Sequence, residues 1–168
     1  MEDTLDLSGF DSMWDNYTSF YIGCSFTFET ALLESGIKLA NTLKDKNASM
    51  YFSNIALYSV GPFEGMMTVT LRMIAANQLE KAFMVSSQYP NHHGAPIHIG
   101  DPSRIGIDDI MKPDKGDPPV DGDAGGIPVF WACGVTVQEA IFSASMSEKF
   151  NRYYYTSCIQ YEQKCIGI

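Results

Sequence analysis

Two segments of this 168-residue chain follow the same pattern and constrain its fold more than any other feature. Each is a short apolar, aromatic-rich run that breaks at a cysteine and then becomes helix-like, over residues 20–32 and 129–141. Aligned, they place Cys24 on Cys133 and Thr27 on Thr136. A buried strand leading into a helix N-terminus presents backbone N–H groups and the positive end of the helix dipole at one place. Two such turns predict a pocket for a ligand with two negative ends.

The same pattern also has a purely structural interpretation. Strand–turn–helix units are common in α/β proteins, and buried free cysteines usually only pack. A similarity of about a dozen residues with few identities can also arise by chance. A shared role for the two turns is therefore one of two open interpretations of the sequence.

Composition and charge limit the class of protein. Hydrophobic residues make up 45% of the chain and charged residues 18%, which is typical of a globular domain. The net charge of −9 argues against nucleic-acid and anionic-membrane partners, which need clustered Lys and Arg. The acidic start resembles neither a signal peptide nor a transit peptide, and no apolar run approaches a transmembrane span. We therefore expect an intracellular protein whose four scattered cysteines are reduced thiols.

Local patterns predict an alternation of strands and helices, which indicates an α/β fold. A polar loop is predicted at 41–49 and a long Gly/Pro-rich loop at 100–126. Thr136, with Glu139 three residues later, predicts a capping box at the start of the last helix. The other predicted elements are a strand and helix within 17–39, an extended segment at 50–58, a turn at 61–65, a strand at 67–74, a helix at 75–87, a short extended piece at 96–99 and a strand at 127–131.

All three histidines lie in one Gly/Pro-rich segment, residues 89–102. Histidine is the usual acid–base group near neutral pH, so His93 and His98 are candidate catalytic residues. The alternative is that they are surface or hydrogen-bonded structural residues. His93 and His98 followed by Asp101 could also bind a metal. No matching His/Cys pair stands out elsewhere, so we predict no metal and no cofactor.

Arg72 is one of only eleven basic residues, and it lies inside an apolar strand pattern. An arginine in such a place must find an anion. A substrate carboxylate is a good bidentate partner, and an internal salt bridge with Asp or Glu is equally favoured. Glu29 falls in the first turn of its predicted helix, where a carboxylate either favours the helix dipole or serves as a base.

Several long motifs follow one another along the chain. They are Gly23-Cys24-Ser25-Phe26-Thr27-Phe28-Glu29, Gly61-Pro62-Phe63 with Gly65-Met66, His93-Gly94-Ala95-Pro96-Ile97-His98-Ile99-Gly100-Asp101-Pro102 with Ile105-Gly106-Ile107, Pro113-Asp114 with Gly116-Asp117, and Pro128-Val129-Phe130-Trp131-Ala132-Cys133-Gly134-Val135-Thr136. In this order they resemble the D-glutamate cyclase family over roughly residues 10 to 145. Family chains are longer at the N-terminus and differ from this one after about residue 145, so we expect an N-terminally truncated, C-terminally divergent member.

The resemblance implies an α/β fold with a mixed sheet, a three-layer part and a smaller two-layer α+β part. Residues 1–168 would form a single domain, which could be incomplete, with an inserted two-layer subdomain at about 60–126. The implied reaction is that of a hydro-lyase converting D-glutamate to 5-oxo-D-proline and water. The partner would be a small dicarboxylic amino acid, and a homodimer is left open. The implied location is the mitochondrial matrix in an animal and the cytoplasm otherwise.

The site hypothesis follows from what this cyclisation requires. Arg72 and the turn at Cys24-Ser25 would hold the α-carboxylate, while the turn at Cys133-Gly134 would stabilise the oxyanion. Asp101 and Thr136 complete the predicted substrate contacts. His98 or His93 would transfer protons, supported by Glu29. The rivals are a cofactor-free amino-acid racemase or epimerase that uses two cysteines, and an inactive remnant that binds small carboxylates.

Overall fold

A computed structural model describes residues 22–120 and 125–144. Within these residues, helices and strands combine, which confirms the predicted α/β class. Short 3-10 helices lie at Ala76–Gln78, Pro90–His92 and Pro102–Ile105. The longer elements are α1 (Phe26–Glu34), α2 (Ala40–Leu43), β1 (Ser49–Ala56), β2 (Met66–Ile74), α3 (Leu79–Ser86), β3 (His98–Ile99), β4 (Ile127–Ala132) and α4 (Val135–Ser143).

The strands form one sheet in the order β1-β2-β4-β3, and every described strand pair is antiparallel. The predicted turn at 61–65 joins β1 and β2 as a hairpin. Strands β2 and β3 come from the range of the predicted subdomain at 60–126, while β1 and β4 lie outside it. The subdomain and the three-layer arrangement therefore stay predictions.

The two faces of β2 differ because side chains alternate along a strand. Val69 and Leu71 face one core cluster, together with Tyr51 and Phe130. Thr68, Thr70 and Arg72 occupy the alternate positions, on the face where α1 packs. The core cluster on this second face contains Phe28, Leu32, Ile37, Leu39, Ile74, Ala82, Val129 and Trp131, with the Phe28 and Trp131 ring centroids 5.3 Å apart. Arg72 is thus held between sheet and helix.

The long segment after β3 covers the edge of β1, which would otherwise be free to pair with another chain. Asp114 Oδ2 accepts from the Phe52 N–H and Asp117 Oδ2 from the Asn47 N–H, each at 2.8 Å. This contact explains the Pro-Asp-x-Gly-Asp motif, because a Cβ on Gly116 would overlap the Ala48 carbonyl oxygen.

Two local predictions are wrong. Residues 41–49 are not all loop, since α2 forms one helical turn there. The capping box does not form. Instead α4 begins at Val135, and the Thr136 hydroxyl bonds to the Thr68 N–H and C=O at 3.0 and 3.1 Å. Thr68 lies just beyond the last β2–β4 pair, so the hydroxyl completes its backbone bonding.

Other predictions fall outside the described residues. The strand before Cys24 was expected from about residue 17, and the divergent tail starts at about residue 146. No helix in the described part of the chain is long and apolar enough to cross a membrane.

Candidate active site

The two cysteine turns have the same local geometry. Helix α1 begins at Phe26 and α4 at Val135, each two residues after its cysteine. The Thr27 N–H donates to the Cys24 carbonyl at 3.3 Å, and the Thr136 N–H donates to the Cys133 carbonyl at 3.0 Å. The helical half of the predicted repeat is therefore confirmed.

The two turns also lie against each other. A Cβ built on Gly134 would lie 3.6 Å from the Gly23 carbonyl oxygen and 3.9 Å from His93 Nε2. The structure thus brings together the first turn, the second turn and one of the two candidate histidines.

His93 is fixed by backbone contacts with the first turn. It follows the 3-10 helix Pro90–His92, and a Cβ on Gly23 would overlap the Asn91 carbonyl oxygen and lie 2.9 Å from His92 Cδ2. His93 itself has φ +76°, a left-handed conformation that non-glycine residues rarely adopt. Such strain is concentrated at functional sites, where the surrounding structure compensates for it.

The environment of His93 favours the uncharged form of its imidazole. Its Nε2 atom is buried and has no hydrogen-bond partner among the described residues. Burial lowers the pKa of His93 below its ordinary value, the nearby Gly23 carbonyl opposes this shift, and the electrostatic influence of His92 and Arg72 lowers the pKa further. A neutral imidazole with an unpartnered nitrogen is ready to accept a proton.

Arg72 forms a buried ion pair with Glu29, and both side chains are 5% exposed. The guanidinium donates to Glu29 Oε1 through Nε at 2.8 Å and also through Nη2, which bonds Ser25 Oγ at 3.0 Å as well. Thr42 Oγ1 donates to Glu29 Oε2 at 3.4 Å. The internal salt bridge, one of the two interpretations of Arg72, is therefore present. It ties the strand to the first cysteine turn.

One end of Arg72 stays unpartnered. Its Nη1 is buried and has no hydrogen-bond partner among the described residues. Arg72 and Glu29 also line a small cleft that includes space open to solvent. Lys46, Asn41 and Pro119 are on the wall of the same cleft. The ion pair therefore leaves Arg72 with donors for a further acceptor.

His98 and Asp101 do not lie beside Arg72. His98 lies opposite Phe130 in the β3–β4 pair, and their ring centroids are 5.9 Å apart, so it is on the other face of the sheet from Arg72. His98 Nε2 bonds the Asp101 carbonyl at 2.8 Å. Asp101 is exposed, and its Oδ1 accepts from the Ser103 N–H at 3.0 Å, which lowers its pKa together with the bond from the Ser103 hydroxyl.

The remaining predicted groups have structural partners or moderate exposure. The Thr136 hydroxyl is used by Thr68, as described above. Cys24 and Cys133 are half-buried, and no disulfide joins them within the described part of the chain. Within residues 22–120 and 125–144, no three His, Cys, Asp or Glu side chains are grouped so that they could hold a metal ion.

Comparison with known proteins gives the family. The sequence matches the family described as D-glutamate cyclase over residues 18–153. The chain belongs to the D-glutamate cyclase family. A protein named "Putative hydro-lyase" from Corynebacterium glutamicum (strain R) is 47% identical over 137 residues, which are 82% of this chain and 52% of that protein. A protein with the same description from Thermoanaerobacter sp. (strain X514) is 51% identical over 124 residues, which are 74% of this chain and 46% of that protein.

The resemblance inferred from the motifs is thereby confirmed. A third relative, a "Putative hydro-lyase" from Acinetobacter baylyi, is 46% identical over 140 residues, which are 80% of this chain and 51% of that protein. The chain spans about half the length of the curated relatives it matches.

Two buried residues on the same strand as Arg72 were not among the residues predicted for the site. Thr68 and Thr70 are 1% and 2% exposed, and neither hydroxyl oxygen has a hydrogen-bond partner among the described residues. The sequence pattern that could have identified them is the alternation Thr-x-Thr-x-Arg inside an otherwise apolar strand. Because residues two apart share a face, this pattern places both hydroxyls beside Arg72.

Replacing Gly23 with alanine should lower the free energy of unfolding of this protein by about 1–3 kcal/mol, because the new Cβ would overlap the Asn91 carbonyl oxygen. Urea denaturation followed by circular dichroism measures the change. Gly134→Ala is the matched control, since its Cβ would meet nothing closer than 3.5 Å and should cost at most about 1 kcal/mol. Equal losses in the two variants would contradict the close packing of the first turn against residues 90–92.

The lowered pKa of His93 predicts a stability that falls with acid. The unfolded chain binds a proton at this residue near pH 6.5, whereas the folded chain resists it until lower pH. The free energy of unfolding should therefore be constant above about pH 6.5 and decrease below it as His93 is forced to charge. Urea titrations at several pH values should show a smaller decrease for His93→Asn than for the parent. Parallel curves would show that His93 is not responsible.

Proposed function

We propose that this chain catalyses the hydro-lyase reaction that converts D-glutamate to 5-oxo-D-proline and water. Membership of the D-glutamate cyclase family supports the reaction class. The observation that carries the proposal is the convergence of the two cysteine turns on His93, a half-buried residue whose Nε2 is buried and whose pKa is lowered. Two helix N-terminal turns and a proton acceptor are the groups that an acyl substitution on a carboxyl group needs.

The chemistry balances with one imidazole. The amine nitrogen attacks the γ-carboxyl carbon, a C–N bond forms, and a C–O bond of that carboxyl breaks. The ammonium group loses two protons in total, and both leave with the departing oxygen as water. A neutral His93 can therefore take each proton from nitrogen and pass it to oxygen, ending as it began. Because the attack is intramolecular, holding the glutamate chain bent supplies much of the rate advantage.

Binding would use the groups that the fold leaves unpaired. Arg72 Nη1 is suited to the α-carboxylate, since Nε and Nη2 are occupied by Glu29 and Ser25. The Gly134 N–H in the second cysteine turn would stabilise the oxyanion on the γ-carboxyl carbon, since the Cys133 N–H already donates to the Thr68 carbonyl. Glu29 acts in this scheme through Arg72, whose position it fixes, and it does not contact the reacting atoms.

The test is a direct assay of the expressed chain. It is incubated separately with D-glutamate and L-glutamate, and 5-oxoproline is detected on a chiral column. Formation of 5-oxo-D-proline from the D isomer is the expected result. A folded chain that forms no 5-oxoproline from either isomer would overturn the proposal.

The contact between the two cysteine turns, where a Cβ on Gly134 would lie 3.6 Å from the Gly23 carbonyl oxygen, favours a second candidate. This is a cofactor-free racemase or epimerase with one thiol on each side of a Cα. Reaction in deuterated water separates the two chemistries, because racemisation exchanges the Cα hydrogen and cyclisation leaves that bond intact. Deuterium at Cα without 5-oxoproline would favour the racemase. Ligand binding in a thermal-shift assay without either product would indicate a small-carboxylate-binding remnant.

The setting belongs to the same proposal. A role in glutamate metabolism follows from the proposed substrate. An intracellular location, mitochondrial in an animal and cytoplasmic otherwise, was inferred from the family resemblance, and the three relatives named above are bacterial. A homodimer remains a possibility that size-exclusion chromatography with light scattering can test.

A further inference from the structure

Four buried polar side-chain atoms have no hydrogen-bond partner among residues 22–120 and 125–144. They are Thr68 Oγ1, Thr70 Oγ1, Arg72 Nη1 and His93 Nε2. A buried polar atom without a partner costs free energy, so natural proteins leave few of them. Four on neighbouring elements of one site call for a common explanation.

Three of the four atoms belong to a single row. Thr68, Thr70 and Arg72 are alternate residues of β2 and share one face of the sheet, at about 6.6 Å per step along the strand. The Thr68 end of this row meets the second cysteine turn, because the Cys133 N–H donates to the Thr68 carbonyl at 3.1 Å. The neighbouring Gly134 has His93 Nε2 beside it. The row therefore runs from Arg72 to His93.

The row has the right chemistry for a carboxylate ligand, and Arg72 at one end of it borders a cleft that includes space open to solvent. A guanidinium and two hydroxyls are hydrogen-bond donors suited to carboxylate oxygens. Glu29, which faces Arg72, is already bonded to it, and the two hydroxyls have no competing acceptor among the described residues.

We propose that Thr68 and Thr70 are substrate-binding residues, whose hydroxyls donate to carboxylate oxygens of a dicarboxylic amino acid laid along β2 between Arg72 and His93. This inference rests on the proposed function and adds to it the two residues that would fix the register of the substrate. Thr70 would hold the carboxylate nearer Arg72, and Thr68 the one nearer the second cysteine turn.

The test uses the expressed chain with the variants T68V and T70V, which keep the side-chain shape and lose the hydroxyl. Glutarate is the probe, because it has both carboxylates but no amine and so cannot cyclise. Isothermal titration calorimetry should show roughly 10-fold to 100-fold weaker glutarate binding for each variant, the loss expected for one hydrogen bond to a charged group. The Tm without ligand should not fall, since an unpartnered buried hydroxyl contributes nothing to stability.

Two controls separate binding from folding. T70S keeps a hydroxyl and should recover most of the glutarate affinity. Ser53→Ala removes a buried hydroxyl that is already bonded, to the Met67 carbonyl at 2.6 Å, so it should lower Tm and leave glutarate binding unchanged.

The outcomes are distinct. A parent chain that forms 5-oxoproline and binds glutarate, with T68V and T70V binding equally well, would overturn this inference and leave the proposed function standing. The same result with a changed Tm would assign the hydroxyls to a buried water. A folded parent chain that neither binds glutarate nor cyclises glutamate would overturn the proposed function, and this inference with it.

Discussion

His93→Asn is expected to slow 5-oxoproline formation by roughly 100-fold to 10,000-fold, the usual contribution of a positioned acid–base group. Asparagine tolerates the left-handed conformation that His93 adopts, so the backbone of the turn should survive. The amide cannot take a proton from the substrate amine. The measurement is the initial rate with saturating D-glutamate, with circular dichroism to show that the variant is folded.

The matched control is His92→Asn, which removes the neighbouring imidazole and should change the rate by no more than a few-fold. His98→Asn tests the other histidine, because the sequence predicted both His93 and His98 as candidate catalytic residues. Loss of activity in His98→Asn together with full activity in His93→Asn would assign proton transfer to His98. That outcome would require the substrate to bind on the opposite face of the sheet, against the Phe130 ring.

The order of elements was predictable where local sequence decides it. Alternation from Met67 to Ile74 predicted β2, and helical spacing from Ala75 to Ser87 predicted the helical segment 76–86. The predicted capping box does not form because a hydrogen bond to a distant part of the chain replaces it. The Thr136 hydroxyl serves the backbone of Thr68, 68 residues away, and no local pattern contains that partner.

The site was predictable in its parts and not in its assembly. The motifs identified both cysteine turns and the histidine segment, and the basic residue inside an apolar strand pattern identified Arg72. Which histidine meets the turns depends on the pairing of β3 with β4, and that pairing turns His98 toward Phe130. The position of His93 depends on the close approach of the Asn91 backbone to Gly23. A contact between two backbones cannot be predicted from composition. Thr68 and Thr70 were overlooked because threonine in a strand is ordinarily explained by its β propensity.

Breaking the Arg72–Glu29 pair from one side is expected to lower the free energy of unfolding by about 3–5 kcal/mol. Arg72→Met leaves a buried carboxylate without its partner, and Glu29→Gln leaves a buried guanidinium without its counter-charge. The double variant buries neither charge, so it should recover much of the loss. Urea denaturation of the four proteins gives the coupling energy directly as a double-mutant cycle. Additive losses would show that the pair contributes no coupling in solution.

The same four proteins separate the two roles of Arg72. If the guanidinium only supports the fold, the refolded double variant should cyclise D-glutamate at the parent rate. If Nη1 also holds the substrate carboxylate, the double variant should be folded and still have a KM raised roughly 10-fold to 100-fold, because a charge-assisted hydrogen bond is lost. The free Nη1 and the adjacent cleft lead us to expect the second result. A stable double variant with an unchanged KM would make Arg72 structural and move the carboxylate site to the backbone of the two cysteine turns.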